Sequence, residues 1–146
     1  RTYYYYITTE KNPFRVEHYY RIPFDVDFGR MNEAADLLVR KGDFASFAKT
    51  NSDVKTTICD VRRAVWVDLG DNAWRFEITA DRFLRNMVRA VVGTLLDVGR
   101  GRMQPSDMEN VLRNRNRCAA GESVFGGALF LHEVKYPANV FDYELP

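Results

Sequence analysis

The sequence has few of the residues that build metal centres or disulfide frameworks. Its 146 residues include two cysteines, Cys59 and Cys118, and two histidines, His18 and His132. The cysteines lack CxxC spacing, and two histidines do not complete a recognisable zinc set. We therefore expect reduced thiols, buried or at the surface, and no metal site.

Long apolar runs and nucleotide-binding motifs are also missing. No apolar run approaches the ~20 residues that span a bilayer, and no signal-peptide pattern occurs, so we expect a cytoplasmic protein without membrane contact. The sequence has no Walker loop, no GxGxxG motif and no Ser/His/Asp or Cys/His arrangement. Its aspartates, among them Asp43, Asp60, Asp81 and Asp97, form no paired-carboxylate motif. We find no recognisable catalytic set within the sequence itself.

The residues that are present indicate one folded domain with a basic second half. Hydrophobic residues make up 46% of the chain and are spread along it, which favours a globular domain. Residues 62–117 contain eleven arginines against seven acidic residues, although the whole chain has a net charge of only +1. Arginine presents a planar fork that suits phosphate and stacks on bases. This composition weakly favours a nucleic-acid partner, and a solvated face with scattered arginines is the alternative.

The first third of the chain predicts a strand, an extended segment and a helix. Residues 2–9 are aromatic and β-branched throughout, which is typical of a central strand, and residues 17–23 form a less regular extended segment. Asp27 is placed to cap a helix that runs to about Arg40, with Gly42 as its stop. Asp43 begins a short capped turn that docks on the core.

The rest of the chain predicts a β-hairpin, two helices and a last strand. Residues 58–68 and 73–79 flank a Gly-Asp-Asn turn, and the second of them alternates between polar and apolar residues. Asp81 is expected to cap a long helix over residues 82–99, and Ser106 with Glu109 to form a capping box for a short helix. Residues 129–136 read as the final strand. This order favours an α+β fold with a mostly antiparallel sheet and helices on one face.

The predicted long helix is the most informative element for function. Arg82, Arg85 and Arg89 would share one of its faces, since they are spaced i, i+3 and i+7. Arg89 lies among apolar residues, where a guanidinium needs a carboxylate or a phosphate. Gly93 costs helix propensity, which predicts a close approach of backbone or ligand. An internal salt bridge with a packing glycine explains the same pattern equally well.

The run of four tyrosines at the start of the chain offers a second candidate surface. Alternation along a strand places Tyr3 and Tyr5 on one side and Tyr4 and Tyr6 on the other. We expect one pair to face the core and the other a groove or helix. An exposed aromatic on a sheet can stack on a base. The alternative is that the rings lie in the core with their hydroxyls at its rim.

Five motifs together resemble the TruA-type tRNA pseudouridine synthases, in order and spacing from Arg1 to Pro137. They are R-x-Y-x-Y-x-I, M-N-E-A-A-x-x-L, D-F-A-S-F, F-L-R-N-M-V-R-x-x-V-G-T-L-L-x-V-G and L-F-L-x-x-V-x-Y-P. The segment from Phe83 is the specific one. The sequence departs from the family over Val124–Leu129, where relatives tend to have a proline followed by Gly-Leu. The family's contacts with the base at this segment are therefore not carried over to this sequence.

The resemblance implies a pseudouridine synthase half without its nucleophile. Tyr3 matches the tyrosine that contacts the target uridine, and Arg89 matches the arginine that pairs with the catalytic aspartate. That aspartate lies in the family motif G-R-T-D-x-G-V-H-A, upstream of the tyrosines, and this motif does not occur here. The resemblance further implies a single carboxyl-terminal domain, no cofactor, a homodimer and action on uridines of the tRNA anticodon arm. Arg82 and Arg85 are candidates for RNA backbone contacts.

Two other functions remain open on the sequence. A stand-alone RNA-binding module would bind tRNA in a salt-dependent way without an anionic partner at Arg89. A structural or dimerisation domain would use the apolar stripe of residues 83–98 as an interface.

Overall fold

The computed structural model describes residues 1–9, 18–49 and 55–133, which form one sheet with helices packed on it. The helices are α1 (Phe28–Asp36), α2 (Met87–Gly99) and α3 (Asp107–Asn114). The strands are β1 (Thr2–Thr8), β2 (Tyr20–Arg21), β3 (Lys41–Asp43), β4 (Ile58–Gly70), β5 (Ala73–Ala80) and β6 (Leu129–Glu133). Short 3-10 turns lie at Ala45–Phe47, Arg117–Ala119 and Gly126–Ala128.

The sheet is built around β1, as the aromatic run predicts. Its strand order is β2-β1-β5-β4-β3, and β6 also pairs with β1, opposite β5. The β1–β2 pairing is parallel and the other strand pairings are antiparallel. The predicted extended segment 17–23 therefore contributes a two-residue strand, with residue 17 outside the described residues. The predicted last strand is confirmed for β6, and residues 134–136 also lie outside them.

The predicted β-hairpin is confirmed and has a tight two-residue turn. Asp71 and Asn72 connect β4 to β5 with φ angles of 54° and 61°. Two consecutive positive φ angles are typical of a type I′ turn, whose twist matches that of the flanking strands. The hairpin forms two adjacent strands of the sheet and pairs β5 directly with β1 along its full length.

One face of the sheet is covered by helices and holds the core. Tyr5, Ile7, Phe76 and Ile78 alternate inward along β1 and β5 and are fully buried. They share a core with the buried side of α1, which includes Met31, and with most of α2. The predicted α+β class, with a mostly antiparallel sheet and helices on one face, is confirmed.

The predicted end of α1 is wrong, although its predicted start is confirmed. Asp27 caps α1 as expected, because its carboxylate accepts the Arg30 N–H at 3.1 Å, but α1 ends at Asp36. The N–H groups of Leu37 and Leu38 bond to carbonyls three residues back, which tightens the last turn and ends the helix. Gly42 is thus not a helix stop and lies within β3.

The predicted capping box of α3 is also wrong. Ser106 is the N-cap residue by position, but its side chain makes no capping bond. Glu109 instead pairs with Arg40, which follows α1. Glu109 therefore makes an ion pair with a distant residue instead of the local capping bond that the spacing predicts.

The capped turn at Asp43 is confirmed. The Asp43 carboxylate accepts the Ala45 N–H at 2.9 Å, and Phe44 and Phe47 are fully buried. The thiols are as expected: Cys118 is exposed, and burial raises the pKa of Cys59 to about 11.

The described part of the chain has neither a membrane-spanning helix nor a metal-binding cluster. No helix there has the length and apolar character needed to cross a membrane. No group of three or more metal-ligating side chains lies close enough together there to hold a metal ion.

Candidate active site

The tyrosines of β1 divide between the two faces of the sheet as the alternation predicts. Tyr5 lies in the core, whereas Tyr3 is partly buried and packs edge-on against Phe83, with ring centroids 5.0 Å apart. On the other face, the Tyr4 ring stacks on His132 at 4.1 Å and lies under the Arg75 guanidinium at 4.2 Å. Tyr3 is therefore the tyrosine of this strand that faces a cavity next to α2.

The segment before α2 is not helical, which corrects the predicted helix start. Asn86 has a left-handed backbone with φ of 68°, and α2 begins after it. Asp81 does not cap the helix, because its carboxylate accepts the N–H groups of Asp60 and Arg82 at 2.8 and 2.7 Å. The Arg85 carbonyl accepts the N–H of Lys49 at 3.0 Å. These bonds to other loops and strands accompany a non-helical path over residues 81–86, which ends in a turn at Arg85 and Asn86.

As a consequence, the three arginines do not share one helix face. Arg82 precedes the helix, and its guanidinium donates to the Thr56 carbonyl at 2.9 Å. Arg85 is exposed and lines the cavity beside Tyr3. Arg89 is in the first turn of α2 and lines the same cavity. The structure thus brings Tyr3, Arg85 and Arg89 together and leaves Arg82 outside this group.

The cavity has a volume of about 310 Å³ and a basic, aromatic lining. Its cations are Lys49, Arg85 and Arg89, its aromatic rings are Tyr3 and Phe83, and no acidic residue lines it within the described part of the chain. The remaining lining residues are Leu84, Asn86, Met87, Val88 and Leu129. The two arginines of this lining, Arg85 and Arg89, favour an anionic group in this space.

One edge of the Arg89 guanidinium is bonded to the protein, and the other is not paired with an acid of the described residues. Its Nε–H donates to the Val124 carbonyl at 2.8 Å, and the Val124 N–H donates back to the Arg89 carbonyl at 3.2 Å. Among the described residues, no carboxylate lies within ion-pair distance of Arg89. The internal salt bridge that the sequence left open is not found in this part of the chain.

Gly93 is a point of close backbone approach, as its cost in helix propensity predicts. A Cβ built on Gly93 would lie 1.7 Å from the carbonyl oxygen of Glu122. The segment of residues 121–126 crosses α2 at this point, and we call it the strap. The sequence patterns predict neither a helix nor a strand for the strap. The glycines at its two ends, Gly121 and Gly126, were the signal that could have indicated it.

The departure from the family pattern at Val124–Leu129 lies at the end of the strap. The Phe125 carbonyl accepts a bond from the Tyr5 hydroxyl at 2.5 Å, while the Phe125 ring is 57% exposed. Burial, together with nearby Tyr20 and opposed by Arg89, raises the pKa of Tyr5 well above its usual range, so this hydroxyl stays a donor. Gly126 lies against the Arg89 guanidinium, where a Cβ would be 3.3 Å from Nε.

Fold and site together define an α+β domain with an aromatic, cationic cavity suited to an unstacked nucleotide. The model of the family described as tRNA pseudouridine synthase matches residues 34–137. The chain is 52% identical over 142 residues to tRNA pseudouridine synthase A of Bacteroides fragilis, covering 97% of this chain and 56% of that protein. It is 53% identical over 144 residues to the protein of the same name from Parabacteroides distasonis, covering 99% of this chain and 57% of that protein. It is 39% identical over 123 residues to that of Bacillus licheniformis, covering 84% of this chain and 49% of that protein.

The chain belongs to the tRNA pseudouridine synthase family. It spans about half the length of the curated relatives it matches.

Proposed function

We propose that this chain forms one wall of the active site of a tRNA pseudouridine synthase, an isomerase that converts uridine to pseudouridine in the tRNA anticodon arm. The observation that supports this most is the cavity in which Tyr3 and Arg89 meet, with no carboxylate near Arg89 among the described residues. A site that acts on a base needs an unstacked nucleotide and a surface to hold it. Tyr3 and Phe83 supply the aromatic part of that surface.

Arg89 is proposed to pair with the catalytic aspartate of the reaction. The reaction breaks the C1′–N1 bond of uridine and rejoins the base through C5, which then loses its proton, so it needs no cofactor. The aspartate acts as nucleophile or base and must stay ionised, which an adjacent guanidinium favours. It would come from the amino-terminal part of the synthase, and this chain would be the carboxyl-terminal domain.

The substrate, assembly and location follow from the same proposal. tRNA backbone would lie across the basic residues around the cavity, with Arg85 at its edge and Arg82 as a further candidate. The protein would work as a homodimer in the cytoplasm, where its tRNA substrate is found.

An assay of pseudouridine formation on unmodified tRNA tests the proposal. We expect no product with this chain alone and product with the full-length protein that includes the amino-terminal half. Activity of the isolated chain would show that the nucleophile lies within it. Tight, salt-sensitive tRNA binding by an inactive full-length protein would favour an RNA-binding module instead.

Two substitutions in the full-length protein test the site residues. Tyr3→Ala and Arg89→Ala should each lower kcat by roughly 100-fold or more, because both contact the reacting groups. The matched controls are Tyr4→Ala, on the opposite face of the same strand, and Arg100→Ala, at the carboxyl end of α2. Equal effects of the site and control variants would rule out the assignment.

A further inference from the structure

The strap is attached to α2 by main-chain and side-chain bonds along its length. The Gly121 N–H donates to the Thr94 hydroxyl at 2.8 Å, and the buried Thr94 hydroxyl donates to the Ala90 carbonyl. At Gly93 the strap backbone touches the helix backbone directly. The strap and the amino-terminal half of α2 are therefore bonded to each other from Thr94 to Arg89.

Ser123 is the side chain that joins the strap to its surroundings. Its hydroxyl oxygen accepts a bond from the Asn86 side-chain amide and another from Arg117 at 3.0 Å. Arg117 also donates to the Gly121 carbonyl at 2.8 Å. Asn86 is the left-handed residue immediately before α2, so Ser123 connects the strap to the start of the helix. Neither Ser123 nor Asn86 bonds to Arg89 itself.

This arrangement determines where the Arg89 guanidinium lies. The Val124 carbonyl, next in the chain after Ser123, accepts the Nε–H, and a Cβ on Gly126 would lie 3.3 Å from Nε and 3.4 Å from Cζ. Because the guanidinium is planar, fixing Nε also fixes the directions of its two terminal nitrogens. Those nitrogens are the groups that remain for an anionic partner in the cavity.

We propose that Ser123, together with Asn86 and Arg117, is a positioning residue that sets the orientation of Arg89 through the strap. Its catalytic consequence rests on the function proposed above, whereas the structural consequence for Arg89 does not. The side chain of Ser123 has no contact with substrate in this scheme. It acts by placing the Val124 carbonyl, which holds Arg89 ready before the substrate enters.

The kinetic test uses full-length protein carrying Ser123→Ala. We expect kcat for pseudouridine formation to fall roughly tenfold with KM within about twofold, because positioning affects the reacting geometry more than tRNA binding. Ser123→Thr keeps the hydroxyl and should retain most of the activity. Asn86→Gly keeps a backbone that tolerates positive φ but removes the amide, and should reproduce the Ser123→Ala loss. Ser106→Ala is the control, since the Ser106 side chain is exposed and makes no capping bond.

A double-mutant cycle separates positioning from general weakening of the fold. In an Arg89→Lys background, Ser123→Ala should cost less than twofold, because the group that it orients is already gone. Additive losses, a change confined to KM, or equal losses in Ser123→Thr and Ser123→Ala would each overturn the proposal. A thermal unfolding midpoint measured for each variant shows whether a loss of folded protein explains the rate.

A measurement without catalysis keeps this proposal separate from the proposed function. The Arg89 Nε–H, bonded to Val124, should exchange slowly with solvent in ¹⁵N NMR spectra of the protein, and at least about tenfold faster in Ser123→Ala and Asn86→Gly. If the wild-type full-length protein makes no pseudouridine, the proposed function fails, and this exchange rate alone decides the positioning role. Unchanged exchange in both variants overturns it.

Discussion

At the scale of single residues, Arg89 combines two tasks that a lysine could not. Its Nε–H is committed to a carbonyl of its own chain, and its terminal nitrogens are left for the cavity. An ammonium group has one nitrogen on a flexible stem and has no separate position for each bond. Arginine suits this position because one edge of its guanidinium is bonded to the Val124 carbonyl and the other faces the cavity.

The contact between Gly93 and Glu122 predicts a loss of stability on adding one methyl group. Gly93→Ala would place a Cβ 1.7 Å from a backbone carbonyl oxygen, so either helix or strap must shift. Alanine improves helix propensity by about 1 kcal/mol, and overpacking typically costs about 1–3 kcal/mol, with backbone clashes at the upper end or beyond. We expect the free energy of unfolding, measured by urea denaturation, to fall by about 1–3 kcal/mol.

Gly42→Ala provides the matched control for this prediction. A Cβ at Gly42 would have only the Arg40 side chain near it, at an ordinary 3.6 Å. This variant should keep its unfolding free energy within about 0.5 kcal/mol, as uncrowded substitutions usually do. If Gly93→Ala is as stable as Gly42→Ala, then the strap does not pack on α2 as closely as described.

At the scale of elements, the sequence pattern predicts those turns and helix ends that depend on hydrogen bonds between neighbouring residues. It fails where hydrogen bonds to residues distant in sequence determine the boundary. The type I′ turn and the Asp27 cap use neighbouring residues only, and both were predictable. The start of α2 was not. Phe83, Leu84 and Met87 keep helical spacing, yet Phe83 packs on Tyr3 in the first strand. Periodicity records which residues are apolar, but not that Asp81 bonds to β4 instead of the helix end.

The face of the sheet opposite the helices is held together by a buried carboxylate between two arginines. Glu77 on β5 is 8% exposed, and each of its oxygens accepts two N–H groups from one arginine, Arg63 or Arg75. Burial raises the pKa of Glu77, but the hydrogen bonds from Arg75 and Arg63 and their charges outweigh it, so the pKa lies below its usual range. Arg63, Glu77 and Arg75 form a triad that joins β4 to β5.

This lowered pKa predicts how stability depends on pH. The ionised carboxylate contributes its stabilisation above the unfolded pKa of about 4.3, and that contribution is lost as the pH falls below it through the folded pKa. Glu77→Gln should reduce the unfolding free energy by about 1–3 kcal/mol at pH 7, less than a fully buried pair because Arg63 is 54% exposed. Urea denaturation from pH 7 to pH 3 should show this difference shrinking toward the lower end.

Glu109→Gln is the comparison variant for the pH series. Its bond with Arg40 lowers the pKa of Glu109 too, but both side chains are more than a third exposed, so solvent screens the pair. The difference between this variant and the wild type should be smaller at every pH. A Glu77→Gln difference that stays constant down to pH 3 would contradict the ionised triad.

At the scale of the whole molecule, the site forms where four separate stretches of sequence meet. Strand alternation and the apolar setting of an arginine make Tyr3 and Arg89 candidates, and the family resemblance is what singles them out. The neighbours that complete the cavity, Lys49 and Leu129, come from segments that no local pattern links to them. The strap is marked in the sequence by its two glycines alone, because its contacts join residues about 30 positions apart and use backbone groups that every residue has.

The placement of the basic residues leads to a prediction for tRNA binding by the full-length protein. The net charge of this chain is only +1, so any attraction of this part of the protein to RNA must come from local groups such as the cations around the cavity. Arg85 is exposed at this cavity, and Arg85→Gln should lower the slope of log K against log salt concentration by about 1, the change expected for one lost phosphate contact. Arg62→Gln removes an arginine that is 67% exposed and lies near Asp60, away from the cavity lining, and should leave the slope unchanged. Equal slopes for both variants would place the tRNA backbone elsewhere, because a phosphate next to Tyr3 and Arg89 cannot avoid the field of Arg85.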